Sequence, residues 1–236
     1  ASPMPEAVLV SAMEQMPDAL FAQGYGQTEA SPIITALGPE FHVVGGAKLR
    51  SAGRAALGVE VAIMDKDDVE LPRGEVGEIC ARGPNVMLGY WGMEQASAET
   101  LRSGWLHTGD LGYMDEDGFV FIVDRAKDMI ISGGENIFSV EVEGAIYSHP
   151  SVRECAVVGI PHDEWGEMVH AIVVLKEGHG LNEGELLAHC RALIAGYKLP
   201  RSIEFRSEPL PVSGAGKILK NELRKPYWEN KDRGVN

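Results

Sequence analysis

The sequence predicts an α+β protein of more than one domain, with a β-rich module first and a separate α+β domain after it. Two patterns carry this expectation. Across residues 41–123, short alternating apolar runs are punctuated by Gly, Pro and Asp-rich turns, the texture of a small sheet or barrel-like module. After Asp124 the texture changes to strands and helices in alternation, the pattern of an independent α+β domain.

Taken in chain order, residues 6–22 read as helix and give way to the glycine-rich "GYGQTEASP" at 24–32. In "GVEVAIMD" (58–65), Val59, Val61 and Ile63 fall on one face, as in a half-buried strand. "GEVGEICARG" (74–83) and "GFVFIVD" (118–124) continue the strands. "DEDG" (115–118) lacks the third acidic position and distant glutamate of a calcium loop, so it reads as a hairpin turn. Ser139 reads as the N-cap of a helix with Glu141 in its first turn; the helix runs to about Ser148, and Pro150 blocks its continuation. "ECAVVGI" (154–160) and "VHAIVVL" (169–175) read as buried strands. Asn182 followed by Glu185 forms a capping box, opening a helix with an apolar stripe of Leu186, Leu187, Cys190, Leu193 and Ile194. Gly196 suits the end of that helix. The domain boundary is expected within 124–127.

The 236 residues suffice for one large domain or two ordinary ones. Lys plus Arg number 21 against 35 Asp plus Glu, a net charge of −14 that repels nucleic acid and anionic lipid surfaces. A local basic pocket can still hold a nucleotide. No apolar run approaches the roughly 20 residues of a transmembrane segment, and the opening "ASPMPEAVLV" has no basic region of a secretory signal. Cys80, Cys155 and Cys190 are odd in number, form no CxxC and lie among apolar neighbours, so they read as buried thiols of a reducing, cytoplasmic protein. The seven histidines form no HExxH or other metal spacing, which argues against a catalytic transition metal, and no GxSxG elbow is present.

Four stretches carry chemistry. In "GYGQTEASP", Gly24 and Gly26 permit close backbone approach, Tyr25 offers a ring to a flat base, Thr28 a hydroxyl to a phosphate, and Glu29 an oxygen to a hard cation. In "GWLHTGDLG" (104–112), Asp110 is placed either to accept the two hydroxyls of a ribose or to close a turn. In "DRAKDMIISGGENI" (124–137), Arg125 either bridges a ribose or phosphate or pairs with Asp124 or Asp128, and Gly133–Gly134 offers bare backbone. "PVSGAGKILK" (211–220) fails the phosphate-loop pattern, because Pro211 and Ile218 occupy its glycine and hydroxyl places. It leaves Lys217 on a loop loosened by Gly214 and Gly216.

These stretches, together with "GEICARGPNVMLGYW", resemble in the same order the later signature motifs of the adenylate-forming superfamily: acyl-CoA synthetases, carrier-loading adenylation domains and firefly luciferase. The resemblance covers nearly the whole chain, and "ASPMP" resembles the tail of that family's adenine-side loop. It implies a remnant of an α/β N-terminal domain at 1–40, a distorted-barrel subdomain at 41–123, a hinge at 124–127 and a mobile α+β C-terminal domain at 128–236. The implied chemistry joins a carboxylic acid to ATP, giving acyl-AMP and pyrophosphate, and then passes the acyl group to coenzyme A. Under the resemblance Gly24, Tyr25 and Gly26 lie at adenine, Thr28 near the α-phosphate, and Glu29 at Mg²⁺. Asp110 and Arg125 would hold the ribose. Lys217 would be the catalytic lysine, Lys127 the hinge, and Gly133, Gly134, Trp165 and Lys198 contacts to coenzyme A. The wording is nearest to fatty- or aryl-acid ligases; a carrier-loading adenylation domain and a non-catalytic coenzyme A-binding module are the alternatives. The family's Ser/Thr/Gly-rich phosphate loop is absent, so the chain alone is expected to be inactive. Apolar surface along the cut would favour association, with a homodimer as one outcome.

Overall fold

The computed structural model describes residues 6–214 and 216–229. "ASPMP", Ala215 and residues 230–236 lie outside the described residues. The chain divides into two compact units, Val10–Ala126 and, beyond it, Lys127 onward together with the N-terminal residues up to Leu9.

Helix α1 (Glu6–Gln15) is shorter than the expected 6–22. Pro17 explains the early stop: its ring disfavours helical backbone at Met16 and it has no N–H to give. In the first unit, β1 (Gln23–Tyr25), β2 (Thr35–Leu37) and β3 (Arg54–Ala55) form a small antiparallel sheet in that order. A second antiparallel sheet runs β4 (Glu60–Met64), β5 (Gly77–Arg82), β6 (Leu106–Met114), β7 (Val120–Arg125). It is an open meander, which settles the choice between sheet and barrel-like module in favour of the sheet. Short helix α2 (Glu94–Thr100) lies in the connection between β5 and β6. The alternation seen in the sequence buries Ile63, Ile79, Met114 and Val120 in one cluster and Ala62, Met64 and Cys80 in another. The "DEDG" turn is the β6–β7 hairpin. Asp115 accepts from the amides of Asp117 and Phe119, Gly118 sits at φ 79°, and Lys48 pairs with Asp115 and Asp117.

In the second unit, β8 (Ile130–Ser132) and β9 (Glu135–Ile137) make a hairpin, and α3 (Ser139–Tyr147) follows. The long antiparallel pair β10 (Val152–His162) and β11 (Gly166–Leu175) belongs to a five-stranded sheet in which β11 pairs with β10, β8 and β12, and β10 lies at the edge. After α4 (Glu183–Arg191), β12 (Ser202–Arg206) joins β11 in parallel; α5 (Lys220–Trp228) closes the described chain. This long pair is buried on both faces, which is why its strands read as continuous apolar runs. Cys155, Val157, Val169, Ala171 and Val173 pack with α3 and α4 residues on one side. Ala156, Val158, Ile160, Ile172 and Val174 pack with Leu223 and Tyr227 of α5 on the other.

Two helix-end expectations fare differently. The Asn182–Glu185 capping box is present, with both reciprocal bonds at 3.0 Å. Ser139 is not the N-cap of α3: Phe138 holds that position, and the Ser139 hydroxyl accepts from Lys220 Nζ at 2.6 Å. Lys220 also pairs with Glu143 at 2.6 Å, whose carboxylate accepts from the Val157 amide. Helix α4 ends at Arg191, five residues before the expected Gly196 stop. Gly196 instead opens a 3-10 turn to Lys198, and Leu193, no longer on the helix, is 54% exposed.

Candidate functional site

The strand register of the first unit brings three of the expected nucleotide residues together. Asp110 on β6 and Arg125 on β7 are direct cross-strand partners, and Arg125 Nε lies 3.4 Å from Asp110 Oδ1. The Tyr25 hydroxyl, from β1, donates to Asp110 Oδ2 at 2.9 Å. Asp110 is only 14% exposed and Arg125 43%. Burial, and then the negative charge of Asp110, push the Tyr25 phenol far above its ordinary pKa, so it stays a donor. The turn that presents Asp110 is held from both sides: Thr108 Oγ1 donates to the Ile79 carbonyl and accepts from the Asp110 amide, while the Gly109 amide donates to Glu78. Gly109 itself sits at φ 72°, a conformation that favours glycine.

Gly26 is required by close approach, since a Cβ there would lie 1.9 Å from the Pro32 carbonyl oxygen. Thr28 opens a 3-10 turn and is exposed. Glu29 accepts from the Tyr90 hydroxyl at 2.8 Å, a bond that raises the Tyr90 phenol, with burial adding to it. Glu29, Tyr90, Gln27, Glu78, His107 and Thr108 are among the residues lining an open cavity of about 340 Å³. A carboxylate in a solvent-open cavity supplies the hard oxygen that Mg²⁺ takes, and Glu29 is a residue there that could hold one.

Gly133 and Gly134 are the two central residues of the β8–β9 hairpin, at φ 60° and 86°. A two-residue turn with positive φ at both positions matches the twist of its strands, a sufficient structural reason for both glycines. The Gly133 amide donates to the Trp165 carbonyl at 3.0 Å, so this turn and the β10–β11 turn lie side by side. The Trp165 ring stacks on His162, with centroids 4.3 Å apart, and the Arg201 guanidinium lies 4.5 Å from its centre. Lys198 is anchored elsewhere, bidentate to Glu141 of α3 at 2.7 Å. The Lys217 loop is pinned at its ends: the Ser213 amide donates to the Lys217 carbonyl and the Lys217 amide to Ser213 Oγ, with Gly216 at φ 77° between them. Lys127 is the first residue after the division between the units, and its carbonyl accepts from Arg224.

Sequence reasoning missed four participants: Tyr90 as the partner of Glu29, His162 and Arg201 around Trp165, and Glu78 behind the Asp110 turn. Tyr90 lies in "LGYW", within a motif of the resemblance that carries no residue role of its own. Arg201 and Glu78 act through residues distant in sequence, whereas His162 lies only three positions before Trp165.

Comparison with known proteins bears on the family and the fold. The family model "AMP-binding enzyme" matches residues 1–91, and "AMP-binding enzyme C-terminal domain" matches residues 141–217. A feruloyl-CoA synthase of Amycolatopsis is 48% identical over 207 residues, covering 88% of this chain and 41% of the relative. A fatty acid–[acyl-carrier-protein] ligase, ScoC, of Streptomyces coeruleorubidus is 43% identical over 235 residues, 100% of this chain and 45% of the relative. The chain thus spans less than half the length of these curated relatives. Among solved structures, ATP-bound MatB from Rhodopseudomonas palustris superposes with a TM-score of 0.88 at 34% identity, over 98% of this chain and 45% of that one. o-Succinylbenzoate CoA synthetase from Bacillus subtilis, in complex with its acyl-adenylate intermediate, gives 0.85 at 37% identity, over 100% and 46%. The chain belongs to the adenylate-forming superfamily of AMP-binding enzymes and includes that superfamily's C-terminal domain.

Proposed function

We propose that this chain is part of an AMP-forming acid–CoA ligase acting on a fatty or aryl acid. The observation that carries the reading is the Tyr25–Asp110–Arg125 cluster, in which a carboxylate and a guanidinium are fixed together at a strand end. The carboxylate can accept ribose hydroxyls and the guanidinium can donate to ribose or phosphate oxygens. In the first step an oxygen of the substrate carboxylate attacks the α-phosphorus of ATP, and the bond to the pyrophosphate oxygen breaks. Glu29 would hold Mg²⁺, whose charge offsets that of the phosphates. Lys217 is assigned the charge shared between the carboxylate and the α-phosphate as they combine. Removing such a preorganised contact costs ~2.7–4 kcal/mol, roughly 10²–10³ in rate. In the second step a thiolate attacks the acyl carbon and AMP leaves. Gly133, Gly134 and Trp165 are assigned to the pantetheine arm of the thiol donor and Lys198 to a peripheral contact, with Lys127 as the pivot between the two steps.

A carrier-protein thiol is the second reading, favoured by the match of the whole chain to a fatty acid–[acyl-carrier-protein] ligase. A binding module without adenylation is separated from both by paired calorimetry with AMP and with coenzyme A. The ligase reading expects AMP to bind to the unit that carries Asp110. Binding of coenzyme A with no binding of AMP would replace it with the module.

A further inference from the structure

Behind the Asp110 turn lies a cluster that the ligase reading does not use. Cys80 on β5 and His107 on β6 are direct cross-strand partners, and Glu78, two residues from Cys80, lies on the same face of the strand. His107 Nδ1 is 2.8 Å from Glu78 Oε2 and 3.4 Å from Cys80 Sγ, and one donor atom from each of the three residues lies within 4.8 Å of the others. Cys80 is fully buried and the His107 side chain is 2% exposed. His107 Nε2 is buried with no hydrogen-bond partner among the described residues, and Asp68 Oδ1 lies 3.6 Å from it.

The ring nitrogens pose a charge problem. A neutral imidazole carries one N–H. If it is on Nδ1, the bare Nε2 faces the Asp68 carboxylate; if on Nε2, the bare Nδ1 faces the Glu78 carboxylate. The site calls for a positive charge between Glu78 and the ring, with an N–H directed at Asp68. That is the arrangement of a metal-bound histidine, whose second nitrogen donates to a carboxylate.

We propose that Glu78, Cys80 and His107 bind a thiophilic divalent cation of the zinc type, a site separate from the Mg²⁺ position assigned to Glu29. Carboxylate, thiolate and imidazole are a donor set that such an ion takes, with a fourth position left for water. Both Glu78 and His107 line the open cavity, so a water has access. Bonds of ~2.0–2.3 Å place tetrahedral donors about 3.3–3.6 Å apart. The Cys80–His107 separation already has this value, and the Glu78 oxygen has to retreat by about half an ångström. Glu78 is held for it: Oε1 accepts from the Gly109 amide at 2.9 Å, leaving Oε2 toward the ring. Arg102 lies 3.2 Å from Glu78 Oε2 and 3.1 Å from Asp68 Oδ1, balancing one of the two carboxylate charges. As the sulfur–metal bond forms, the Cys80 thiol releases its proton to solvent. The ion would clip β5 to β6 directly beneath the Thr108–Asp110 turn.

The test is titration of the full chain with Co²⁺ under reducing, anaerobic conditions. The expected result is a thiolate-to-cobalt charge-transfer band with the visible bands of tetrahedral geometry, saturating at one equivalent and displaced by Zn²⁺. Cys80→Ser should abolish the charge-transfer band, and Asp68→Asn should weaken binding about 10–100-fold. The Cys155→Ala/Cys190→Ala variant should keep it. Absence of the band, or a band that survives Cys80→Ser, overturns the proposal. Should the Cys80 variant fail to fold, anomalous scattering at the zinc edge from crystals of the unmodified chain decides. A peak between the three donors supports the site, and a peak elsewhere or none refutes it. Neither readout depends on adenylation.

Discussion

Replacing Asp110 with alanine removes the acceptor that the Tyr25 hydroxyl uses at 2.9 Å. A partly buried donor that loses its carboxylate acceptor costs about 1–3 kcal/mol. The pair with Arg125 adds little, about 0–1 kcal/mol, because that guanidinium is 43% exposed and regains water. Tyr25→Phe keeps the ring, which packs against Ile63, Ile79 and Val120, and removes only the hydroxyl, for about 1 kcal/mol. With both changes made, no orphaned group remains. The two single losses should therefore exceed the double loss by about 1–2 kcal/mol. The assay is native-state hydrogen exchange of the β6 and β7 amides across a urea series, which reports this sheet alone. Additivity within about 0.5 kcal/mol would show that hydroxyl and carboxylate do not interact, and the preorganised cluster would fall with it.

Three further outcomes are expected. Asn182→Ala removes the capping box of α4 and should cost about 1 kcal/mol by urea denaturation of the second unit; no change would mean that the cap contributes nothing. Burial would raise the Asp115 carboxyl, but the bond from Lys48 and the turn amides outweigh it and hold the group below its ordinary value. Its contribution to stability is then present above about pH 4 and lost as pH falls through the lower folded value. Lys48→Met should accordingly flatten the acid side of the stability–pH curve, and an unaltered curve would contradict the pairing. Finally, the pure chain should show no ATP–pyrophosphate exchange, since it lacks the superfamily's phosphate loop; robust exchange would refute that expectation.

Local features of the fold were legible because their physics is local. Short apolar runs between Gly- and Asp-rich turns located β4, β5 and β7, and the Asn182–Glu185 box and the Asp115 hairpin each join residues within four positions of one another. The misreadings came from competition at a distance. The Ser139 hydroxyl is claimed by Lys220, 81 residues away, so it is not available to cap α3. Leu193 fits a helical stripe that the chain leaves at Arg191. The site shows the same division. Motif order singled out Tyr25, Asp110 and Arg125, but the bond between Tyr25 and Asp110 spans 85 residues and depends on β1 reaching the middle of β6. Glu78 and His107 escaped notice because their ligand-like spacing exists only across two paired strands.

The central claim is that Asp110 grips the sugar of an adenine nucleotide. Titrating the isotope-labelled chain with AMP, and repeating this with Asp110→Asn, tests it at residue level. The asparagine retains an acceptor for Tyr25 and removes the charge. The account predicts shifts centred on Tyr25, Thr28, Asp110 and Arg125, with affinity reduced about 10–100-fold in the variant, equivalent to ~1.4–2.8 kcal/mol. Equal affinity in the two proteins, or shifts confined to other residues, would contradict it.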